Sequence, residues 1–537
     1  MPWMWTDWAD SFVERVRAED GTPGVALSVT DRDGVLYSRT YGLSNAKAGE
    51  PLLPHHRIEF GSIGKSFTAL LLLQLQAEGR LSLEEPVEAY LPWFQVKGRP
   101  RILLSHLLSH TSGLIGGTDF PPDAHLEVWS LRHTETVWAP GARFHYANVG
   151  FKTLGLVLEA VTGRSYRELV RERLLDPLEM GDTDAVITHE VRRQLADGHR
   201  PLYDDRPYWP EDPLVPAAWI ETDTADGCLS STAVDLARYV RLLLNGGRVE
   251  GRCLIGPEDF RRFITPVIQV GPDDWYALGI GRYGTGDDAV IGHSGGMLGY
   301  YAQILADPAS GVGVAVLVNG PGRPAFIAQQ VLDAARRGVR GEDPGPEPPV
   351  SASLLEEAGL YAGTYRSGSG DTLEITPGAL GELRILWNGE PMPPPRASGG
   401  AAIVAHHPAL SLFLLEREGD DHETLALHHG GDTYWRIGRE QDRGRLAPAQ
   451  EALTGHYRSH NPWESNFRIV GRGRELFLIP PDGASARLLP IDGEGRRFRL
   501  TNGDGPLPEE LVFDTIVDGR AWGASLAGHP FARFFTP

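Results

Sequence analysis

The stretch that decides the fold reads Phe60-Gly61-Ser62-Ile63-Gly64-Lys65-Ser66-Phe67, and it leads directly into a long apolar segment. The apolar spacing from Ser62 to Glu78 predicts a helix, which follows a short strand-like segment. A serine at the start of a helix lies beside unpaired backbone N–H groups that can hold an oxyanion. Lys65 lies one turn later on the same face. If Lys65 is desolvated and neutral, it can take the proton from the Ser62 hydroxyl, so the spacing predicts a nucleophile and its base.

The same motif has a purely structural interpretation. Ser62 could be a helix N-cap and Lys65 a solvated surface charge. The bare pattern of serine and lysine three residues apart also occurs at Ser44-Asn45-Ala46-Lys47, where no helical spacing follows. The helix that follows Ser62 is therefore what favours the catalytic interpretation.

A second segment offers a rival nucleophile. Gly292-His293-Ser294-Gly295-Gly296 matches the nucleophile elbow of α/β-hydrolases, in which a strand precedes the serine and a helix follows it. A strand is predicted before Ser294, at 289–291. The residues after it predict a second strand at 300–306 and a third at 312–318, joined by a turn. A hairpin in this position disfavours the elbow.

Composition excludes several classes of function. The 537 residues carry a formal net charge of −20 without a run of basic residues, which argues against nucleic acid and anionic membranes as partners. Two cysteines are too few for a disulfide framework or a cysteine-based zinc site. No phosphate-binding glycine loop is present, so we expect no cofactor. The chain shows no signal peptide or membrane span, and we expect a cytoplasmic protein.

Lysine is scarce in this chain. The sequence contains four lysines, at positions 47, 65, 97 and 152, among 51 basic residues. Arginine carries charge but does not readily give up its proton. A lysine three residues after a helix-opening serine therefore stands where an arginine could not serve as a base.

The chain divides into a catalytic part and a β-rich tail. Residues 1–340 alternate between strand and helix patterns, beginning with a predicted hairpin at 25–38 and including helices at 151–161, 166–175 and 233–244. A proline-rich acidic linker spans 341–350. Gly363-Thr364-Tyr365-Arg366-Ser367 then recurs as Gly455-His456-Tyr457-Arg458-Ser459, which predicts two β-barrel domains at 351–445 and 446–537.

Four segments together resemble the serine β-lactamases and penicillin-binding-protein-like hydrolases, specifically the class C type with its D-aminopeptidases and esterases. They are Phe60–Phe67, Leu107-Leu108-Ser109-His110-Thr111-Ser112-Gly113-Leu114, Pro140-Gly141-Ala142-Arg143-Phe144-His145-Tyr146-Ala147-Asn148 and Gly292–Gly296. The resemblance covers roughly residues 1–340. It implies an α+β domain of the β-lactamase/transpeptidase type, with an antiparallel sheet flanked by helices.

The resemblance also implies roles for residues in the first three segments. Ser62 would be the acylated nucleophile and Lys65 its proton partner. Tyr146 would shuttle that proton and later activate the water that releases the acyl group. Asn148 would orient the substrate amide and help to hold Lys65.

The fourth segment would complete the site. The backbone N–H groups of Ser62 and Gly296 would form the oxyanion hole. His293, Ser294 and Gly295 would replace the Lys-Thr-Gly element of typical β-lactamases and contact the substrate. A histidine that is neutral part of the time near pH 7 weakens the demand for a substrate carboxylate, so we expect weak β-lactamase activity or none.

The tail points in the same direction. D-aminopeptidases of this type resemble the chain in carrying two antiparallel, lipocalin-like β domains after the catalytic domain. We therefore expect a serine hydrolase for a small peptide, amide or ester, of D-aminopeptidase type. A carboxylesterase, a weak β-lactamase, a peptide cyclase and a non-catalytic peptide- or lipid-binding protein stay as alternatives, and a homo-oligomer is compatible with the sequence.

Two groups of histidines suggest metal binding only weakly. His106 and His110 have helical i, i+4 spacing, but no glutamate follows His106 as a zinc-hydrolase helix requires. A looser set occurs in the first β domain, and solvated edge histidines explain it more simply; its members are His406, His407, His422, His428 and His429. We expect no metal.

Overall fold

The computed structural model describes residues 4–119, 123–286, 289–355, 357–398, 402–503 and 505–536. The chain forms two units. The first contains residues up to Arg200 together with Leu214–Val350, and the second contains Pro201–Pro213 together with residues from Ser351 onwards. The division after Val350 adjoins the predicted linker, whereas the assignment of Pro201–Pro213 to the second unit has no counterpart in the sequence pattern.

The first unit is built on an antiparallel sheet. The strands before residue 350 are β1 (Gly24–Thr30), β2 (Val35–Asn45), β3 (Glu50–Pro51), β4 (Ile58–Glu59), β5 (His199–Pro201), β6 (Leu214–Pro216), β7 (Ser230–Ser231), β8 (Arg248–Val249), β9 (Arg252–Cys253), β10 (Ile268–Gln269), β11 (Asp274–Tyr276), β12 (Gly281–Tyr283), β13 (Val290–Met297), β14 (Tyr300–Asp307) and β15 (Val312–Val318). Within the described residues the main sheet has the order β10-β11-β12-β13-β14-β15-β1-β2-β3. The hairpin at the start of the chain and the two late strands are confirmed.

Helices cover both faces of this sheet. They are α1 (Met4–Asp20), α2 (Gly64–Ala77), α3 (Leu104–Leu108), α4 (Ala124–Ser130), α5 (Asn148–Thr162), α6 (Tyr166–Val170), α7 (His189–Arg192), α8 (Ala233–Leu244), α9 (Pro257–Ile264) and α10 (Pro324–Val339). Among the described residues, none of the helices combines the length and apolarity needed to cross a bilayer. The helix predicted at 233–244 is confirmed by α8.

The core explains why β15 is apolar along its whole length and why every residue of β1 is buried. Alternate residues of β1, such as Val25 and Leu27, join a cluster with Phe12 of α1 and Ile327 of α10. The opposite face of the sheet receives α8, and a Cβ atom at Gly313 of β15 would lie 2.3 Å from the Cγ1 atom of Val240. All residues of β1 are buried because both faces of the strand are covered.

The linker at 341–350 is held by the first helix. Trp8 of α1 donates its indole N–H to the Gly345 carbonyl at 3.1 Å, and Arg15 forms an ion pair with Glu347. Arg323 donates to the carbonyl of Val350 at 2.6 Å. The acidic, proline-rich segment at 341–350 is therefore attached to the first unit by these contacts.

The second unit consists almost entirely of antiparallel strands. They are β16 (Gly363–Arg366), β17 (Thr372–Pro377), β18 (Leu383–Trp387), β19 (Glu390–Pro391), β20 (Arg396–Ala397), β21 (Ala402–Val404), β22 (Leu415–Gly419), β23 (Thr424–His429), β24 (Asp432–Arg436), β25 (Gly455–Arg458), β26 (Asn466–Arg472), β27 (Glu475–Ile479), β28 (Ala486–Pro490), β29 (Arg497–Thr501), β30 (Pro506–Val517), β31 (Arg520–Leu526) and β32 (His529–Arg533), with the short helix α11 (Pro448–Glu451) before β25.

The two β domains differ in closure. Strands β25 to β32 form a closed barrel, whereas β16 to β24 form an open sheet whose edges are β19 and β20. The segment between these edges includes Pro393-Pro394-Pro395, and proline cannot donate to a strand ladder. The prediction of two β domains is confirmed, but the first of them is a half-barrel rather than a closed barrel.

The internal repeat has a structural cause. The hydroxyls of Tyr365 and Tyr457 donate to the carbonyls four residues earlier, at 2.9 and 2.8 Å respectively. Both tyrosines are fully buried. They pair across the ladder with Arg436 and Arg533, near the end of each repeat. The shared sequence thus preserves one buried corner in each domain.

The segment Pro201–Pro213 explains one histidine of the loose set. Asp204 pairs with Arg458 at 2.6 Å, and Asp205 pairs with Arg468 at 3.3 Å. Trp209 stacks on His406 with ring centroids 4.7 Å apart. Elsewhere in the half-barrel, the ring Nε2 of His428 lies 2.7 Å from a carboxylate oxygen of Glu418. His406 therefore has a stacking partner and His428 a hydrogen-bond partner.

Candidate active site

Ser62 lies in a 3-10 turn, Gly61–Ile63, immediately before α2. Gly61 has a φ of +54°, and a Cβ atom there would lie 2.5 Å from the carbonyl oxygen and 2.7 Å from the nitrogen of Gly296. Only glycine allows this left-handed conformation together with so close an approach. Ser62 therefore lies one residue before the N-cap of α2, which is Ile63, and the backbone of its turn is in close contact with β13.

Two further glycines bring other backbones to the same point. A Cβ atom at Gly295 would lie 1.8 Å from the Phe60 carbonyl oxygen, and one at Gly227 would lie 3.1 Å from the Ser62 nitrogen. Side chains at these positions would push β13 and the 227 segment away from Ser62. The structure thus brings the predicted oxyanion-hole residues, Ser62 and Gly296, next to each other.

Lys65 lies in the first turn of α2 and is fully buried. Its Nζ donates to the Ser62 Oγ at 3.0 Å and to the backbone carbonyl of Asp226 at 2.6 Å. In the part of the chain that the structure describes, Lys65 forms no ion pair with a carboxylate. Its hydrogen bonds therefore connect it to the candidate nucleophile and to one neutral acceptor.

Tyr146 is the second predicted residue that the fold brings to Lys65. The Lys65 Nζ lies 4.9 Å from the centroid of the Tyr146 ring and 5.5 Å from that of Phe151. Tyr146 is separated from Lys65 by 81 residues of chain, and the turn before α5 places it here. Lys65 thus lies next to both the Ser62 hydroxyl and the Tyr146 ring.

Asn148 begins α5, two residues after Tyr146. Its amide Nδ2 donates to Asp119 at 3.1 Å, and its Oδ1 is buried without a hydrogen-bond partner. A hydrogen bond between Asn148 and Lys65, which the resemblance implies, is not present among the described residues. The carbonyl of Asp226 holds Lys65 instead.

His293 lies on β13 and is almost fully buried. Its Nδ1 faces the Ser294 carbonyl, which can only accept, so Nδ1 carries the proton and Nε2 accepts from the Tyr276 hydroxyl at 2.9 Å. Burial lowers the pKa of His293 to about 4; the Ser294 carbonyl opposes this shift and Lys65 adds to it. His293 is therefore neutral at neutral pH and supplies no cation for a substrate carboxylate.

Ser294 is exposed in the middle of β13, which continues to Met297 and turns into β14. A nucleophile elbow needs a sharp strand-to-helix turn at the serine. The hairpin does not supply one, and the preference for Ser62 over Ser294 rests on this difference. Gly295 is buried beside Phe60, as described above.

A family model named Beta-lactamase matches residues 9–336 of the chain. The chain belongs to the beta-lactamase family. It is also similar to a beta-lactamase-like protein of Homo sapiens, with 28% identity over 402 residues that cover 70% of this chain and 77% of the human protein. Family membership makes it a serine hydrolase of the β-lactamase and penicillin-binding-protein type.

Two solved structures show the same fold. One is an octameric penicillin-binding protein homologue from Pyrococcus abyssi, with a TM-score of 0.59 and 23% identity over 88% of this chain and 98% of that one. The other is a D-stereospecific amidohydrolase from Streptomyces sp., with a TM-score of 0.51 and 27% identity over 60% of this chain and 97% of that one.

Sequence reasoning missed a second buried lysine, which lies on the helix that follows Tyr146. Lys152 of α5 forms ion pairs with Asp119 and Glu127. Burial opposes its charged form, but Asp226, Asp119 and Glu127 outweigh burial and raise the pKa of Lys152 above its ordinary value. The scarcity of lysine, which drew attention to Lys65, is a signal that could also have indicated Lys152.

Asp226 and His110 were missed for a different reason. Asp226 contributes a backbone carbonyl, and no side-chain pattern reports such a role. His110 was set aside with His106 as a weak metal motif, and both rings instead accept backbone N–H groups through Nδ1, from Ala147 and Leu103 respectively.

Proposed function

We propose that the chain is an amidohydrolase of D-aminopeptidase type, with class C-like chemistry and an acyl-enzyme formed on Ser62. The observation that carries the proposal is the 3.0 Å hydrogen bond between the Ser62 Oγ and the fully buried Lys65 Nζ. Lys65 has no anionic partner among the described residues. Of its two hydrogen-bond acceptors, the Ser62 hydroxyl is the one that can exchange a proton with it.

The proposed reaction proceeds in two steps. Lys65, in its uncharged form, takes the hydroxyl proton while the Ser62 Oγ attacks the substrate carbonyl carbon. The N–H groups of Ser62 and Gly296 stabilise the oxyanion. Tyr146 passes its proton to the leaving amine, whose bond to the carbonyl carbon breaks. Tyr146 then takes a proton from the water that attacks the ester, and Lys65 returns its proton to the Ser62 Oγ as the bond from Oγ to the acyl carbon breaks.

The choice of substrate rests on His293 and on one structural neighbour. A penicillin or a D-Ala-D-Ala peptide presents a carboxylate, and a neutral His293 offers that group no charge. An amide or ester without this carboxylate suits the site better. The similarity to a D-stereospecific amidohydrolase supports an amide substrate and D-selectivity. Asn148, His293, Ser294 and Gly295 are the proposed substrate contacts.

A fluorophosphonate probe tests the nucleophile. We expect labelling of the wild type and none in Ser62→Ala, while Ser294→Ala is still labelled. Unchanged labelling in Ser62→Ala would contradict the proposal. Labelling lost in Ser294→Ala alone would restore the elbow, and a chain that is never labelled would favour a non-catalytic binding protein.

A substrate panel tests the rest of the proposal. D- and L-aminoacyl amides, short-chain esters and a chromogenic cephalosporin are compared side by side, with added amine to reveal acyl transfer. We expect the highest kcat/KM for D-aminoacyl amides. Preference for esters or for acyl transfer would replace the aminopeptidase assignment by esterase or cyclase. A cytoplasmic location and a homo-oligomer stay predictions from the sequence, and cell fractionation and solution mass measurements would test them.

A further inference from the structure

His110 combines burial with an unusual backbone. Its side chain is completely buried, and its φ is +54°, in the left-handed region that residues other than glycine rarely adopt. Such a conformation costs about 1–2 kcal/mol for an ordinary residue, although histidine, like asparagine, is found there more often than most. The fold therefore maintains an unfavourable backbone at this position.

The hydrogen bonds of His110 enclose Tyr146 on both sides. The backbone N–H of His145 donates to the carbonyl of His110 at 2.8 Å. The backbone N–H of Ala147 donates to the His110 ring Nδ1 at 3.0 Å. The residues immediately before and after Tyr146 are thus both attached to the same histidine.

The ring of His110 also contacts the Tyr146 side chain. The two centroids lie 4.1 Å apart with an interplanar angle of 31°. Two further aromatic rings lie near the His110 ring, with centroid distances of 5.1 Å to Phe151 and 5.0 Å to Tyr276. Because Tyr276 donates to His293, the same aromatic layer reaches β13.

The tautomer of His110 follows from these contacts. Since Nδ1 accepts from Ala147, Nε2 must carry the proton in the neutral ring, and this N–H is buried without a partner. Burial, and then the proximity of Lys65, His293 and His145, lowers the pKa of His110 well below its ordinary value. A neutral ring therefore faces these groups and the hydroxyl-bearing rings of Tyr146 and Tyr276.

We propose that His110 is a positioning residue that holds Tyr146 over Lys65, by accepting the Ala147 N–H through Nδ1 and packing its ring on the tyrosine. The inference rests on the proposed function, in which Tyr146 moves the proton. Displacing a reacting group by about 1 Å can cost roughly 100-fold in rate. In this proposal, the unfavourable backbone conformation of His110 is maintained because it places the ring and the carbonyl where they fix Tyr146.

Two variants separate the acceptor from the rest of the side chain. His110→Gly keeps the backbone carbonyl that binds His145 and suits the positive φ, but removes the ring. His110→Asn keeps an acceptor, because its Oδ1 occupies the place of Nδ1, and asparagine tolerates the left-handed conformation. His106→Asn is the matched control, since the His106 Nδ1 also accepts a backbone N–H, but from Leu103 rather than from a neighbour of Tyr146.

The measurements are kcat and KM on the best substrate of the panel across pH 5–10, with active sites counted by fluorophosphonate labelling. We expect His110→Gly to lower kcat per labelled site by about 100-fold, with KM changed less than about threefold and an altered pH profile. His110→Asn should recover most of that loss, and His106→Asn should match the wild type.

A purely structural role would reduce the number of labelled sites without changing kcat per site or the pH profile, and that result would overturn the inference. Equal losses in His110→Asn and His110→Gly would also overturn it, because the acceptor would then be irrelevant. The variant Tyr146→Phe distinguishes a failure of the proposed function from a failure of the proposed role of His110. If Tyr146→Phe is fully active, the proposed role of Tyr146 fails; if only Tyr146→Phe is impaired, the role of His110 fails.

Discussion

Two buried lysines on two helices of the same domain have opposite surroundings. Lys65 donates to a hydroxyl and a backbone carbonyl, and two aromatic rings lie nearby. Lys152 donates to the carboxylates of Asp119 and Glu127. Both side chains are withdrawn from water, so burial alone does not distinguish a candidate base from a permanent cation. The charge of the hydrogen-bond partners distinguishes the two.

The difference has a chemical consequence. A lysine between two carboxylates keeps its proton, because losing it would leave the buried Glu127 and the half-buried Asp119 without a counter-ion. A lysine bonded only to neutral acceptors faces no such restraint. Lys152 thus has a structural role, and in our proposal Lys65 transfers the proton.

We predict the largest effect for a substitution of Lys65. Lys65→Arg keeps a charge but not a group that gives up its proton, so we expect kcat to fall by about 10,000-fold. The matched change Lys152→Arg keeps both ion pairs and should cost at most about tenfold. Rates of fluorophosphonate labelling and of substrate turnover measure both variants. Near-normal turnover in Lys65→Arg would rule out lysine as the proton acceptor.

The next effect removes the charge at Lys152. Lys152→Met leaves Asp119 and Glu127 without their buried counter-ion, and we expect the free energy of unfolding to fall by about 3–5 kcal/mol. Urea unfolding followed by circular dichroism measures the change. The double variant Lys152→Met with Glu127→Gln should recover part of the loss. An unchanged unfolding midpoint in Lys152→Met would show that the ion pairs contribute little.

A further effect, which depends on pH, concerns the buried carboxyl group of Glu59. Glu59 precedes the Ser62 turn, and burial raises the pKa of its side chain to about 8. Because the folded state binds this proton more tightly than the unfolded state, stability should decline as the pH rises from about 4.5 to 8 and then level off. Unfolding midpoints across this range should show the slope in the wild type but not in Glu59→Gln. The exposed Glu50→Gln is the control, and equal slopes in all three proteins would contradict the prediction.

The sequence predicted much of the catalytic domain because its signals are local. The spacing of Ser62 and Lys65 and the apolar pattern of residues 233–244 each depend on neighbouring residues along one helix. The proposed oxyanion pair followed from the resemblance of two segments, Phe60–Phe67 and Gly292–Gly296, to the family. What local patterns could not show is that Gly61, Gly227 and Gly295 allow three distant backbones to meet, since close approach is a property of the folded chain.

The same limit applies to the contacts of Asn148 and to the closure of the first β domain. Asn148 is at the expected place in the sequence, but its Nδ2 donates to Asp119, a residue 29 positions away that the motif does not contain, while its Oδ1 has no hydrogen-bond partner among the described residues. The first β domain repeats the motif of the second, yet its proline-rich edges leave it open. Both outcomes depend on neighbours that the repeated or matching segment does not contain.

The amino-acid sequence by itself determined the family, the order of the domains and the spacing of serine and lysine, because these are carried by periodicity and by short motifs. The tertiary structure alone decided which buried lysine is neutralised by carboxylates, that His293 is held neutral, and that His110 encloses Tyr146. These properties depend on distances between residues far apart in the chain and on the loss of water around them, and only the folded protein sets either one.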